Sequence, residues 1–296
     1  MNICILGAGA IGSLWACYLH KAGHNVSLWT KGDEPSITLS LDDLPAITFP
    51  ANQTTHLSHA DLVLIAVKAW QVETATLPII SFIKPSCTLL FTHNGMGAIQ
   101  GVLPKLSKHN VLFATTTHGA LKQNPHQLTH TGYGHTTIGA LQQYGHDGSR
   151  SISDMLHQAL GPVTWDDNIQ QALWSKLAIN CCINPLTAIK NCRNGELGDP
   201  ATLAFIDALC LEISSVIHAE GLICKREALF EQVQQVIQAT KDNYSSMHQD
   251  IYHGRATEID YITGYLIQRA QARNLNVPLN EKLFKQIKQQ EANNDH

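Results

Sequence analysis

In the first half of the chain, hydrophobic positions fall in short β-branched runs separated by stretches of helical spacing. Ile3–Leu6, Val26–Trp29, Leu62–Val67, Thr88–Thr92 and Val111–Thr116 read as strands. Their alternation with helical stretches predicts a mostly parallel sheet covered by helices. Two further segments, Gln127–Thr131 and His135–Ile138, flank Gly132-Tyr133-Gly134 and predict a hairpin added at the sheet edge. The polar, glycine-containing stretch from Gln142 to Ser149 marks a loop, and a short helix and the strand Val163-Thr164-Trp165 follow it. A domain boundary is expected at Asp166–Asp167. Beyond it strand signals vanish, and apolar residues recur at helical spacing through Ile169–Ile183, Leu203–Ala219, Phe230–Thr240, Glu258–Ala272 and Glu281–Gln289. The pattern predicts an α/β half over residues 1–166 and an all-helical half over 167–296.

The segment joining the first strand to the first helix reads Gly7-Ala8-Gly9-Ala10-Ile11-Gly12. This GxGxxG lies directly after a strand and directly before the helical pattern Leu14, Ala16, Cys17, Leu19, which is the context that gives the motif weight. Gly7 allows the tight turn, Gly9 lets backbone approach a pyrophosphate, and Gly12 lets helix and strand pack closely. The first half is therefore expected to be a Rossmann-type dinucleotide-binding domain. At the end of the second strand, where an acid would hold the ribose 2′-hydroxyl of NAD, the chain reads Trp29-Thr30-Lys31, and a cation there suits the 2′-phosphate of NADP. Asp33 and Glu34 supply the acid instead if the strand ends later, and an ordinary solvated lysine is the bland alternative.

In the helix after the boundary, Lys176, Asn180 and Asn184 recur every four residues and share one face. One ammonium and two amides in a stretch otherwise rich in Leu, Ala, Ile and Cys need partners, because burying them unpaired costs several kcal/mol. A polar ligand would satisfy them; a snorkelling lysine and two capping asparagines are the structural alternative. A second polar group lies in Ser245-Ser246-Met247-His248-Gln249-Asp250 and Arg255-Ala256-Thr257-Glu258-Ile259-Asp260-Tyr261. There Thr257 is expected to cap a helix with Glu258 in its first turn, which is ordinary helix-start chemistry.

Composition narrows the functional classes. A formal charge of −4 without a run of either sign leaves no electrostatic footprint for nucleic acid. The N-terminus lacks a basic leader and breaks its apolar stretch at Gly7, so no signal peptide is expected. The apolar run Leu62–Val67 is far short of a membrane span, and a cytoplasmic protein is expected. Eight cysteines without a CxxC pair predict reduced, buried thiols. His126 and His130 have a four-residue spacing but lie in a strand-like segment, so no metal site is expected.

Taken in order, the glycine motif, Lys68-Ala69-Trp70-Gln71, His93-Asn94-Gly95-Met96-Gly97, the Lys176–Leu186 helix, Asn194-Gly195-Glu196, Ser245-Ser246-Met247 and Thr257-Glu258-Ile259-Asp260-Tyr261 resemble the 2-dehydropantoate 2-reductase (ketopantoate reductase) family over nearly the whole chain. The resemblance implies NADPH-dependent reduction of ketopantoate to pantoate, on the route to pantothenate and coenzyme A. It also implies roles. Lys176 is the general acid, Glu258 grips the substrate hydroxyl, Asn180, Asn184 and Ser246 hold substrate oxygens, and Lys68 and Asn94 touch the cofactor. Where the resemblance implies an arginine for the 2′-phosphate, this chain offers Lys31, which supplies charge without a bidentate fork. The competing readings are a β-hydroxyacid-type dehydrogenase acting on another small keto acid and a non-catalytic NADP-binding sensor. The sequence leaves the oligomeric state open.

Overall fold

The computed structural model describes residues 1–141 and 149–294, so the expected loop from Gln142 falls, up to Gly148, outside the described residues. The chain divides into two compact units. The first comprises Met1–His93 and Ala98–Ala172, and the second comprises Asn94–Gly97 and the chain from Leu173 onward.

In the first unit, β1 (Asn2–Leu6), α1 (Ala10–Lys21), β2 (Asn25–Trp29), β3 (Ser36–Leu41), β4 (Ile47–Pro50), α2 (Thr54–His59), β5 (Leu62–Ile65), α3 (Val72–Thr76), β6 (Thr88–Phe91) and β7 (Asn110–Thr116) precede β8 (Gly119–Lys122), β9 (Gln127–Gly132), β10 (Thr136–Gly139), α4 (Ser149–Leu160) and β11 (Val163–Trp165). Seven strands form one sheet in the order β11-β10-β7-β6-β5-β1-β2. Pairing is parallel from β2 through β1, β5 and β6 to β7, and β10 runs antiparallel to β7 with β11 parallel to β10. Every residue of β5 and β6 is buried, as expected of central parallel strands covered on both faces.

A second, four-stranded sheet has the order β4-β3-β9-β8. It corrects the expected hairpin. β9 pairs with β3 and β8, whereas β10 belongs to the large sheet, so Gly132-Tyr133-Gly134 carries the chain between sheets and does not close a two-stranded turn. The physical reason is burial. Leu128 and His130 alternate toward the inside of β9, and Leu39, Leu41 and Leu128 share a core with Trp15 and Leu19 of α1. The strands β3, β4 and β8 were not expected; β4 and β8 are only four residues long, while β3 alternates Ile37, Leu39 and Leu41 with serine and threonine, the ordinary pattern of a half-buried strand.

Beneath this sheet runs a chain of polar contacts. Tyr18 Oη lies 3.0 Å from His130 Nδ1, His130 Nε2 lies 3.2 Å from His118 Nδ1, and the Gly134 amide donates to the same His118 nitrogen at 3.1 Å. Neutral imidazoles fit the three contacts, with His130 Nδ1 accepting from Tyr18 and the single lone pair of His118 Nδ1 shared between His130 Nε2–H and the Gly134 amide. Burial, then the neighbouring His130 and His135, pulls the His118 imidazole down to about 4.

The second unit is helical: α5 (Ile169–Lys190), α6 (Pro200–Ala219), α7 (Arg226–Ala239), α8 (Ser246–Tyr252), α9 (Thr263–Ala272) and α10 (Pro278–Asn294). Its core gathers Trp174, Leu177, Cys181 and Cys182 of α5, Ile206, Leu209, Ile213 and Ile217 of α6, Leu229 and Val233 of α7, and Leu266 and Leu283 further on. By length and composition alone α6 could cross a membrane, but its Ile206, Leu209, Ile213 and Ile217 are packed inside the unit. Two expectations are corrected. The first helix runs through Pro185 to Lys190, well past Ile183. The last-but-one begins at Thr263, so Glu258 stands in the preceding turn and Thr257 caps no helix. Thr257 instead donates its amide and hydroxyl to Glu291 Oε1, at 2.8 and 2.7 Å. All eight cysteines are free thiols, with Cys224 half-buried and the rest buried.

Candidate active site

The glycine loop grows out of the fully buried end of β1. Gly7 has φ +100°, and a Cβ on Gly12 would overlap the Gly7 carbonyl oxygen, so strand and helix meet at a separation only glycine permits. A Cβ on Gly9 would find Ala66 O alone, at 3.9 Å, leaving the outer side of the loop open. Gly9 is the N-cap of α1; no side chain caps the helix and no acidic residue stands in its first turn. The first amides of a helix have no partner within it. Uncapped, and free of carboxylate, this terminus fits the pyrophosphate of a dinucleotide.

Two expected cofactor residues belong to the same edge. β5, β1 and β2 are parallel neighbours, and Lys68, the glycine loop and Lys31 follow their respective carboxyl ends, where ligands of open α/β sheets bind. β2 ends at Trp29, so the later strand end that Asp33 or Glu34 would need does not occur. Exposed Lys31 follows Thr30, whose amide donates to Asn52 Oδ1 at 2.8 Å, and Asn52 Nδ2 in turn reaches the Glu34 carbonyl at 3.0 Å. Half-buried Lys68 donates its backbone amide to Gln71 Oε1 at 3.2 Å.

In the second unit, α5 carries Lys176, Asn180 and Asn184 on one face, with Asn184 buried and the other two half-buried. The Asn94–Gly97 segment packs on the turn that holds Glu258: the Met96 amide donates to the Tyr261 carbonyl at 2.8 Å, and Gly95 adopts φ +79° against Tyr261. Asn94 Nδ2 then donates to Glu258 Oε2 at 3.1 Å, and Glu258 is buried. Burial pushes the Lys176 ammonium down to about 8, against an upward pull from the Glu258 carboxylate. The fold thus brings Lys176, Glu258 and Asn94 into one electrostatic group. A lysine with its pKa near neutrality holds a proton it can also release.

Sequence reasoning missed the tie beneath this group. Ser245, the N-cap of α8, accepts from the His248 amide at 3.0 Å, and its hydroxyl lies 2.7 Å from Thr187 Oγ1. The Thr187 hydroxyl is also 3.0 Å from the carbonyls of Ile183 and Asn184. This fully buried relay fixes the start of α8, where exposed Ser246 stands, relative to the Asn184 turn of α5. Asn194 is buried too; its Nδ2 donates to Thr240 Oγ1 at 2.8 Å, while its Oδ1 has no hydrogen-bond partner among the described residues. A Ser-x-x-His step at the α8 start was the only sequence signal for the relay, and none marked Thr187.

Comparison with known proteins follows the same outline. Residues 3–143 match the family model "Ketopantoate reductase PanE/ApbA", and residues 168–291 match its C-terminal counterpart. The 2-dehydropantoate 2-reductase of Vibrio cholerae is 50% identical over 290 residues, covering 97% of each chain. Among solved structures, a PanE/ApbA family ketopantoate reductase from Ralstonia eutropha superposes with a TM-score of 0.88 at 25% identity, covering 100% of both chains. A D-mandelate dehydrogenase solved with NADH and anilino(oxo)acetate shares the fold, with a TM-score of 0.89 at 23% identity and 100% coverage of both chains. With models covering both halves and relatives matched end to end, the chain belongs to the ketopantoate reductase family.

Proposed function

We propose that the chain reduces 2-dehydropantoate to pantoate with NADPH, residues 1–166 serving as the NADP-binding domain and 167–296 as the substrate-binding domain. The observation that carries this reading is Lys176, an ammonium that shares its face of α5 with Asn180 and Asn184, lowered to about 8 by burial and countered by Glu258. When bound, the nicotinamide supplies the hydride that reaches the ketone carbon. Negative charge then develops on the ketone oxygen, and Lys176 Nζ both stabilises it and delivers the proton that completes the alcohol. Glu258, oriented by the Asn94 carboxamide, holds the lysine in its protonated form and accepts the substrate hydroxyl. Asn180, Asn184 and Ser246 bind the remaining substrate oxygens, and the anionic keto acid is drawn by the same ammonium. The glycine loop, Gly7 to Gly12, holds the pyrophosphate. Lys68 and Asn94 contact the cofactor, and Lys31 pairs with the 2′-phosphate. The setting is the cytoplasm, and the partner is a small keto acid.

Lys176→Ala tests the reading. Turnover of ketopantoate is expected to fall about 10²–10⁴-fold, the usual worth of a positioned acid, while NADPH binding stays nearly intact. Unchanged turnover rejects the assigned acid. Oxidation of NADPH by wild-type protein with a β-keto acid but not with ketopantoate rejects the substrate.

A further inference from the structure

One basic side chain of the first unit has no part in the reading above. Lys122, at the end of β8, extends its Nζ to the carbonyl oxygen of Ala8, in the middle of the glycine loop, at 2.8 Å. The hydroxyl of Ser13, a fully buried residue of α1, approaches the same oxygen at 3.2 Å. The ammonium is half-buried, and burial alone lowers its pKa, with no charged neighbour contributing. A partly desolvated cation with no carboxylate partner among the described residues is costly to keep.

The geometry gives this cost a purpose. A trans peptide unit is planar, so its C=O and N–H point in opposite directions. Two donors that pin the Ala8 carbonyl inward therefore fix the Gly9 N–H in the outward direction, at the uncapped start of α1. Were that peptide to flip, a carbonyl oxygen would replace an amide hydrogen at the position the phosphates occupy, exchanging an attraction for a repulsion. We propose that Lys122 is a positioning residue for the dinucleotide: with Ser13, it locks the Ala8–Gly9 peptide so that the Gly9 amide faces the pyrophosphate. This rests on the cofactor reading and adds to it a residue from outside the glycine motif, carried by a strand of the second sheet. Because the pyrophosphate is common to NADPH and NADH, the effect is blind to the 2′-phosphate.

The test is titration of NADPH and of NADH into wild type, Lys122→Met, Lys122→Arg and Ser13→Ala, followed by fluorescence, with steady-state kinetics alongside. Lys122→Met is expected to raise both dissociation constants by a similar factor, about tenfold, with KM for NADPH rising far more than kcat falls at saturation. Lys122→Arg, which keeps a donor and the charge, restores most of the affinity. Ser13→Ala weakens both nucleotides in the same proportion, by a smaller factor, and provides the measurement should Lys122→Met not fold. Loss confined to NADPH would make Lys122 a 2′-phosphate ligand and overturn the proposal, as would unchanged affinity for both nucleotides. A drop in kcat matching the loss of affinity, with no rescue by arginine, would reduce the residue to a structural one. Wild-type protein that binds neither nucleotide refutes the cofactor reading itself, an outcome distinct from failure of the Lys122 role alone.

Discussion

Lys176 is the side chain on which the proposed chemistry turns. Two opposing forces act on it, and the sequence alone left their balance open, because both burial and the nearness of Glu258 depend on how the turn at 258–262 lies. In the structure burial prevails, and the ammonium comes down to about 8. An acid must be protonated to act, so kcat/KM for the keto acid is expected to hold steady below pH 8 and fall as the pH rises through it. Glu258 raises the lysine pKa, so Glu258→Gln should move that break to lower pH; a break that stays put, or moves up, would separate the two groups functionally. Lys31 offers a second residue-scale outcome. Lys31→Ala should raise the dissociation constant for NADPH more than for NADH, and equal losses would remove its 2′-phosphate role. The residues proposed to carry chemistry could be picked out in the sequence because Lys176, Asn180 and Asn184 interrupt an apolar stretch, and the glycine loop stood out by its place between strand and helix. Lys122 and Thr187 did not, since each acts through a backbone carbonyl or a hydroxyl brought near only by the fold.

At the scale of elements, periodicity marked the long helices and the central strands, and failed where an element takes its identity from distant partners. β9 and β10 are consecutive and flank glycines, yet their pairing follows which apolar face each must bury, and these differ. Likewise Glu258 and Thr257 carry helix-start residue types without starting a helix, because the Thr257 amide and hydroxyl are drawn to Glu291. The α5–α8 relay makes a specific expectation. Thr187→Val keeps the shape and deletes the hydroxyl, leaving the Ser245 hydroxyl short of a partner at a cost of about 1–3 kcal/mol. KM for the keto acid should rise with it, and Thr187→Ser should restore both; a stability loss without a KM change would sever the relay from the site. Farther off, Glu220 just past α6 accepts two bonds from Arg269 of α9, at 2.8 and 2.9 Å, and one from Arg273 at 3.0 Å, with its side chain only 8% exposed. Burial pushes this carboxyl up, but the two guanidinium groups hold it below the usual range. Arg269→Ala should therefore destabilise the protein by about 1–3 kcal/mol, Arg273 keeping one bond to the carboxylate, readable by urea titration.

For the molecule as a whole, the first loss of stability on acidification is expected from its buried histidines. His109, His118, His130 and His248 are all lowered, chiefly by burial, and His118 reaches about 4. Below its ordinary value near 6.5 each binds a proton in the unfolded chain before it does in the folded one. Stability present at neutral pH is thus lost as pH falls from about 6.5 toward 4, ahead of the carboxylates. Urea unfolding across that window should show the slope, and His118→Gln should flatten it. The two-part division of the chain was legible from where strand signals stop. That Asn94–Gly97, read from the strand-rich half, packs with the helical one was hidden, because contact membership does not follow chain order. This excursion has a hereditary side. A genetic crossover near residue 170 would pair a helical half with another protein's four-residue visitor, and so with a foreign partner for Glu258. A chimera joined there is expected to keep the Asn94–Glu258 bond only when the donor of its first half carries an equivalent of Asn94–Gly97.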